Sequence, residues 1–141
     1  MQQLGDVLKK AAAFLQSKGV SESRLSSEWL LAHVLKMKRL DLYMNFDRPL
    51  QEAELAVYRN YISRRIRHEP IAYIIGTQPF HGIDVKVNSH VLIPRQETEE
   101  LVDQVLKYLQ EKEQAVGLDL CTGSGAIALA LKYKRSDSRY S

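Results

Sequence analysis

Asp119, Cys121, Gly123 and Gly125 recur at every second position, with Thr122 and Ser124 between the last three. Two glycines so placed let the backbone approach a ligand closely, and a helix that starts just after them presents unpaired N–H groups at its positive end. Such a turn suits a nucleotide-like ligand. The phosphate-binding spacings G-x-G-x-x-G and G-x-x-x-x-G-K-[ST] are both absent. The flanks have the right character: Val116, Leu118 and Leu120 alternate as in a strand, and an apolar run resumes at Ala126 as a helix. Residues 116–131 therefore read as strand, glycine turn and helix.

Written as Asp119-x-Cys121-x-Gly123-x-Gly125, the turn is similar to the D/E-x-G-x-G-x-G pattern of Rossmann-like methyltransferases, with Cys121 where the first glycine usually stands. That resemblance implies S-adenosylmethionine as cofactor. On its own the turn serves equally as a plain strand-to-helix connection in another α/β domain. Other chemistries have less support. His33, His68, His81 and His90 lack the i, i+4 pairing of a helical metal site, and no metal is expected. Ser124 stands in T-G-S-G-A rather than G-x-S-x-G, and nothing near Cys121 supplies a base, so a structural cysteine is expected.

The elements that must hold this turn come before it. Leu4, Val7, Leu8, Ala11, Ala12 and Leu15 have the spacing of an amphipathic helix, closed by Gly19. Ser21 reads as the N-cap of a second helix with Leu25, Trp29 and Ala32 on a broad apolar face, which predicts Trp29 in the core. A shorter third helix is expected over 39–46, ended by Asp47-Arg48-Pro49. A fourth runs over 51–68, with Leu55, Tyr58, Ile62 and Ile66 on one stripe and Arg59, Arg64, Arg65 and Arg67 largely off it. Beyond Glu69-Pro70, Gly76, Pro79, Gly82 and Pro94 punctuate β-prone pieces at 78–81, 83–87 and 91–93, read as a β-hairpin linker. Pro94 precedes a helix with Glu97, Glu99 and Glu100 in its first turn and a stripe of Leu101, Val102, Val105, Leu106 and Leu109.

Global properties set bounds. At 141 residues and 45% hydrophobic content the chain suits one domain or two small ones. No window approaches the roughly 18 unbroken apolar residues of a membrane span. With polar Gln2 and Gln3 after Met1 and a single cysteine, a soluble, cytoplasmic protein without a secretory leader or disulfides is expected. The net charge of +3 is uneven: residues 1–70 carry 12 Lys and Arg against 8 Asp and Glu, residues 71–141 carry 8 against 9. The basic half reads as a solvated helical surface, or as one that meets RNA or an RNA-associated protein.

In order along the chain stand a helical N-terminal part, EPIAYIIG at 69–76, FHG at 80–82, VLIPRQETE at 91–99, and the D-x-C-x-G-x-G turn. This series resembles the HemK/PrmC-type family, the peptide chain release factor N(5)-glutamine methyltransferases, whose segments read EP-x-x-Y-I-x-G, F-x-G and L-I-P-R-P-E-T-E. Two departures stand out: Gln96 replaces a proline, and Cys121 replaces a glycine, its side chain being tolerated if its φ is negative and crowding the cofactor if it is not.

The resemblance implies an α plus α/β protein: a release-factor-recognition bundle over 1–72, a β-hairpin linker over 73–93, and over 94–141 the first strand and helices of a Rossmann-like class I methyltransferase domain. It implies transfer of a methyl group from S-adenosylmethionine to the glutamine amide in the Gly-Gly-Gln loop of release factors. Asp119, Cys121, Thr122, Gly123, Ser124 and Gly125 would form the cofactor loop, and Phe80, Pro94, Arg95 and Glu97 would flank the cofactor and glutamine pocket. Phe80 as hairpin core and Arg95 with Glu97 as helix-start electrostatics are the plain readings.

The family's Asn-Pro-Pro-Tyr segment is absent from these 141 residues, as is the ribose-binding acid of a second strand. The chain is therefore expected to be the N-terminal portion of a family member, inactive alone, with an exposed apolar patch, self-association or disorder over 116–141. Two alternatives remain: a portion of a nucleic-acid adenine N6-methyltransferase, or a non-catalytic release-factor-binding module. No direct nucleic acid contact is expected under the leading reading.

Overall fold

The computed structural model describes residues 1–135 with their side chains and the backbone of Arg139 and Tyr140. The chain divides into two units, Met1–Ile75 and Gly76–Ser141. The first contains α1 (Leu4–Ser17), α2 (Ser23–Leu35), a 3-10 helix (Arg39–Asn45), α3 (Glu52–Arg65) and α4 (Ile71–Ile75). The second contains β1 (Thr77–Phe80), β2 (Ile83–Lys86), α5 (Glu97–Leu109), β3 (Val116–Gly117), α6 (Ala126–Lys134) and β4 (Arg139–Tyr140).

In the first unit α2 is the centre, packed against α1, α3, α4 and the 3-10 helix. Its buried residues are Ser26, Ser27, Glu28, Leu30, Leu31 and Ala32. Trp29, expected in the core, is 41% exposed, because the neighbours cover the helix on the sides that carry Leu30, Leu31 and the polar run before them. The helix opens at Ser23, not after a Ser21 cap. Glu22 and Lys36 bracket it in left-handed backbone at φ 50° and 53°, a conformation that glycine adopts more easily.

The start of α1 is held by backbone from a distant loop. Leu4 N–H donates to the Arg48 carbonyl at 2.9 Å and Gly5 N–H to that of Phe46 at 3.0 Å, which satisfies two donors that a helix start otherwise leaves unpaired. Gly5 suits this approach: a Cβ would lie 3.3 Å from Phe46 side-chain atoms, a tight contact that the ring would have to shift to relieve. At the start of α3, Glu54 reaches back to accept the Gln51 N–H at 2.9 Å, and Arg48 donates to the same carboxylate at 2.8 Å.

Two arginines read as solvated are structural. Arg64 forks onto Glu69 and also donates to the Ile74 and Tyr73 carbonyls, each at 3.3 Å. Arg65 donates to Ser26 Oγ at 3.2 Å and to the Glu69 carbonyl at 3.0 Å. Together they fix the Glu69-Pro70 turn and the short helix α4. The expected fourth helix accordingly ends at Arg65 rather than His68, which takes φ 61°.

In the second unit β1 and β2 form an antiparallel hairpin, with Phe80 opposite Ile83. Its loop is His81-Gly82, both at positive φ (47° and 80°), as a two-residue primed turn demands. Residues 91–93 form no strand; β-prone side chains without a neighbouring strand to pair do not make one. Helix α5 buries Val102 and Leu109, while Leu101 of the expected stripe is exposed. Strand β3 pairs in parallel with β4 across α6, a strand–helix–strand unit.

Candidate functional site

The glycine turn sits between β3 and α6. Cys121, Gly123 and Gly125 all have positive φ, at 58°, 60° and 78°, so the two-residue period of the sequence is a two-residue period of left-handed backbone. Gly125 is the N-cap of α6, which has no side-chain cap hydrogen bond, and the first helical bond runs from Leu129 N–H to the Gly125 carbonyl at 2.9 Å. The turn closes on itself: Thr122 Oγ1 donates to Asp119 Oδ2 at 2.8 Å, and Gly125 N–H to the Thr122 carbonyl at 3.0 Å. A Cβ built on Gly123 meets nothing within 4 Å. The loop is therefore open toward solvent on that side, and its glycine is demanded by backbone geometry rather than by crowding.

Cys121 carries the consequence of its departure from glycine. At φ 58° its Cβ stands in the conformation that costs a non-glycine residue roughly 1–2 kcal/mol. Cys121→Gly is expected to stabilise the second unit by about 1 kcal/mol, after the greater chain entropy of glycine is counted. Thermal melts of the two chains test this; a lower melting temperature for the glycine chain would refute the strain.

The other expected site residues lie on the hairpin and before α5. Phe80 is 1% exposed and is hairpin core. Pro94 is partly covered, and Arg95 and Glu97 are exposed at the start of α5. Among the described residues no hydrogen bond or ion pair joins these four to the glycine turn. A cluster does form between the hairpin loop and α5, from residues to which the sequence assigns no site role. Glu99 accepts the His81 N–H at 2.9 Å, and His81 Nε2 lies 2.6 Å from Asp103 Oδ1. Two carboxylates one helical turn apart on α5 thus hold the hairpin loop, and His81 Nδ1 is buried without a partner. A His-Gly pair at the hairpin tip and acids at i, i+4 were visible; their 22-residue separation hid the pairing.

Beside the turn, α5, β3 and α6 enclose an apolar groove of about 340 Å3 lined by Val105, Leu109, Val116, Leu118, Ile127 and Leu131, among others, with Asp119 at its edge. Val116, Leu118 and Leu120 are all largely exposed, although Val116 is paired in the strand and the other two are not. The apolar patch expected over this segment is present. Among the described residues no helix is long and apolar enough to cross a membrane, and no group of three or more His, Cys, Asp or Glu is placed to hold a metal.

Residues 6–76, just over half of the chain, match the PrmC N-terminal domain family. The chain belongs to that family. Among its relatives, a release factor glutamine methyltransferase of Geobacter sulfurreducens is 46% identical over 125 residues, covering 89% of this chain and 43% of the relative. That of Leptospira interrogans is 47% identical over 133 residues, covering 93% and 46%. That of Coxiella burnetii is 45% identical over 112 residues, covering 79% and 40%. The chain thus spans less than half the length of these curated relatives. The PrmC-type match falls on the helical unit and α4, so the clamp of Arg64 and Arg65 on Glu69 lies within it, whereas the glycine turn lies outside.

Proposed function

We propose that this chain supplies part of an S-adenosylmethionine-dependent methyltransferase that modifies the glutamine side-chain amide in the Gly-Gly-Gln loop of bacterial release factors. In this reading 1–72 recognise the protein substrate, 73–93 form the linker, and 94–141 begin a Rossmann-like catalytic domain in the cytoplasm. The observation that carries it is the run of left-handed backbone at Cys121, Gly123 and Gly125 ahead of α6, read together with relatives named for this activity.

Apart from Cys121, whose positive φ is the case in which its side chain would crowd the ligand, the residues fit such a cofactor. The open side of Gly123 leaves space for a ligand against the backbone, the start of α6 offers N–H groups, and Asp119, oriented by Thr122, faces the same turn as an acceptor. When bound, the cofactor would provide an electrophilic sulfonium methyl. The amide nitrogen of glutamine is a poor nucleophile because its lone pair is delocalised into the carbonyl, so rate depends on holding it in line and accepting the proton it loses as the N–C bond forms. These 141 residues contain no Asn-Pro-Pro-Tyr segment for that task, and the chain alone is proposed to be inactive and to bind cofactor weakly.

The test is a chimera in which 1–141 replace the corresponding part of the Geobacter sulfurreducens relative. Mass spectrometry of a release factor treated with the chimera and cofactor is expected to find one methyl group on the Gly-Gly-Gln peptide, and none with the 141 residues alone. Methylation of adenine in nucleic acid instead would favour the adenine-methylating alternative. Micromolar cofactor affinity of the 141 residues by calorimetry would contradict the weak-binding half of the proposal.

A further inference from the structure

A buried carboxylate in the first unit organises a surface that packing alone does not explain. Glu28 accepts hydrogen bonds from Arg24 at 3.0 Å, from Arg39 at 2.7 Å and from the Tyr43 hydroxyl. Arg24 also donates to the Tyr43 oxygen at 2.8 Å. Each guanidinium lies over an aromatic ring, Arg24 over Tyr43 and Arg39 over Trp29, both at 5.8 Å from the centroid. One negative charge thus holds two positive ones, leaving a net +1, and the Arg24 side chain is 75% exposed. Arg24, Glu28 and Tyr43 of this cluster line a groove of about 530 Å3 between α1, α2 and the 3-10 helix. Its apolar wall includes Leu8, Ala12, Ala13 and Phe46; Lys9 and Arg24 also line it.

We infer that this groove is a docking site for an acidic amphipathic segment of the protein substrate, with apolar side chains against Leu8, Ala12 and Phe46 and carboxylates facing Lys9 and Arg24. The inference rests on the proposed recognition role of residues 1–72 and names the surface that performs it. Charge complementarity selects the occupant: Lys9 and Arg24 outnumber Glu28, the one carboxylate of the lining, and leave it net positive beside an apolar wall, the composition that fits a helix-in-groove partner of negative sign. Single-stranded RNA fits less well, because Arg24 already lies over the Tyr43 ring, the place at the groove for a base to stack.

The chain has a single tryptophan, Trp29, which touches the cluster through Arg39. Biosynthetic 19F-labelling of that residue gives one resonance from this chain, whatever tryptophans the partner holds. Titration of the full chain with a bacterial release factor is expected to shift or broaden it. Lys9→Glu and Ala13→Glu should each weaken binding roughly tenfold. Arg59→Glu, an equal charge reversal at an exposed position of α3, should change it less than about twofold. Unchanged melting curves establish that each variant folds. Equal weakening by Lys9→Glu and Arg59→Glu, or full affinity in Ala13→Glu, would overturn the groove while leaving the substrate-recognition reading intact. Tight binding of polyuridine that Lys9→Glu abolishes would overturn it in favour of RNA. No release-factor binding by the unsubstituted chain would remove both the groove and the recognition role.

Discussion

Replacing Glu28 with alanine is expected to lower the stability of the helical unit by about 3 kcal/mol, a drop in melting temperature of roughly 15 °C for a unit of this size. The carboxylate is buried on α2 and is the shared acceptor for Arg24, Arg39 and Tyr43, so its loss leaves two guanidiniums and a phenol held close without the charge that gathered them. The figure is at the lower end for buried ion pairs because Arg24 is mostly in water. Circular dichroism melts at neutral pH measure it, and a loss below about 1 kcal/mol would mean that water replaces the network readily.

The same group gives the effect a pH signature. Burial works to raise the Glu28 carboxyl, but hydrogen bonds from Tyr43, Arg39 and Arg24 outweigh burial and hold it below its ordinary range. The fork of Arg64 likewise holds Glu69 down. A carboxyl that titrates lower in the folded than in the unfolded chain stabilises the fold at every pH above its unfolded value of about 4.3, and loses that contribution as the pH falls through the folded value. The stability gap between the native chain and Glu28→Gln should therefore hold from pH 7 to about 5 and narrow in stronger acid. Urea titrations across that range decide the matter; a gap that widens on acidification would reverse the assigned sign.

Leu30→Ala is expected to cost about 3 kcal/mol. Leu30 is fully buried on the helix that touches every other element of its unit, so neighbours anchored on several sides cannot collapse into the space a shortened side chain leaves. Phe14→Ala is the contrast. Phe14 is the larger side chain but lies half in water, and its truncation should cost less than about 1 kcal/mol. Denaturant unfolding of both variants tests the ordering; equal losses would show that α2 is not the centre of the packing.

What could be read from the residues follows the range of the interactions involved. Helix α1 was legible because Leu4, Val7, Leu8 and Leu15 lie on one stripe and one face is buried. Trp29 lies outside the core because α2 is covered on several sides, so a single apolar face is the wrong template, and its buried polar side chains are satisfied from afar: Ser26 by Arg65, Glu28 by Tyr43. Helix α4 was missed because five residues are too few to display a period, and it is fixed instead by arginines from α3. At the candidate site the glycine spacing located the left-handed backbone at 123 and 125, since glycine type and φ sign are linked locally. The sign at Cys121 and the hold of α5 on His81 depend on how the turn and hairpin close, which no local pattern encodes.

Glu22, Lys36, His68, His81 and Cys121 occupy corners of the chain in a backbone state that their side chains resist. Selection for a tougher variant of this protein would accordingly meet its least resistance at those corners, where a smaller residue relaxes the bend, and its greatest around α2, where nearly every change opens a void or strands a charge.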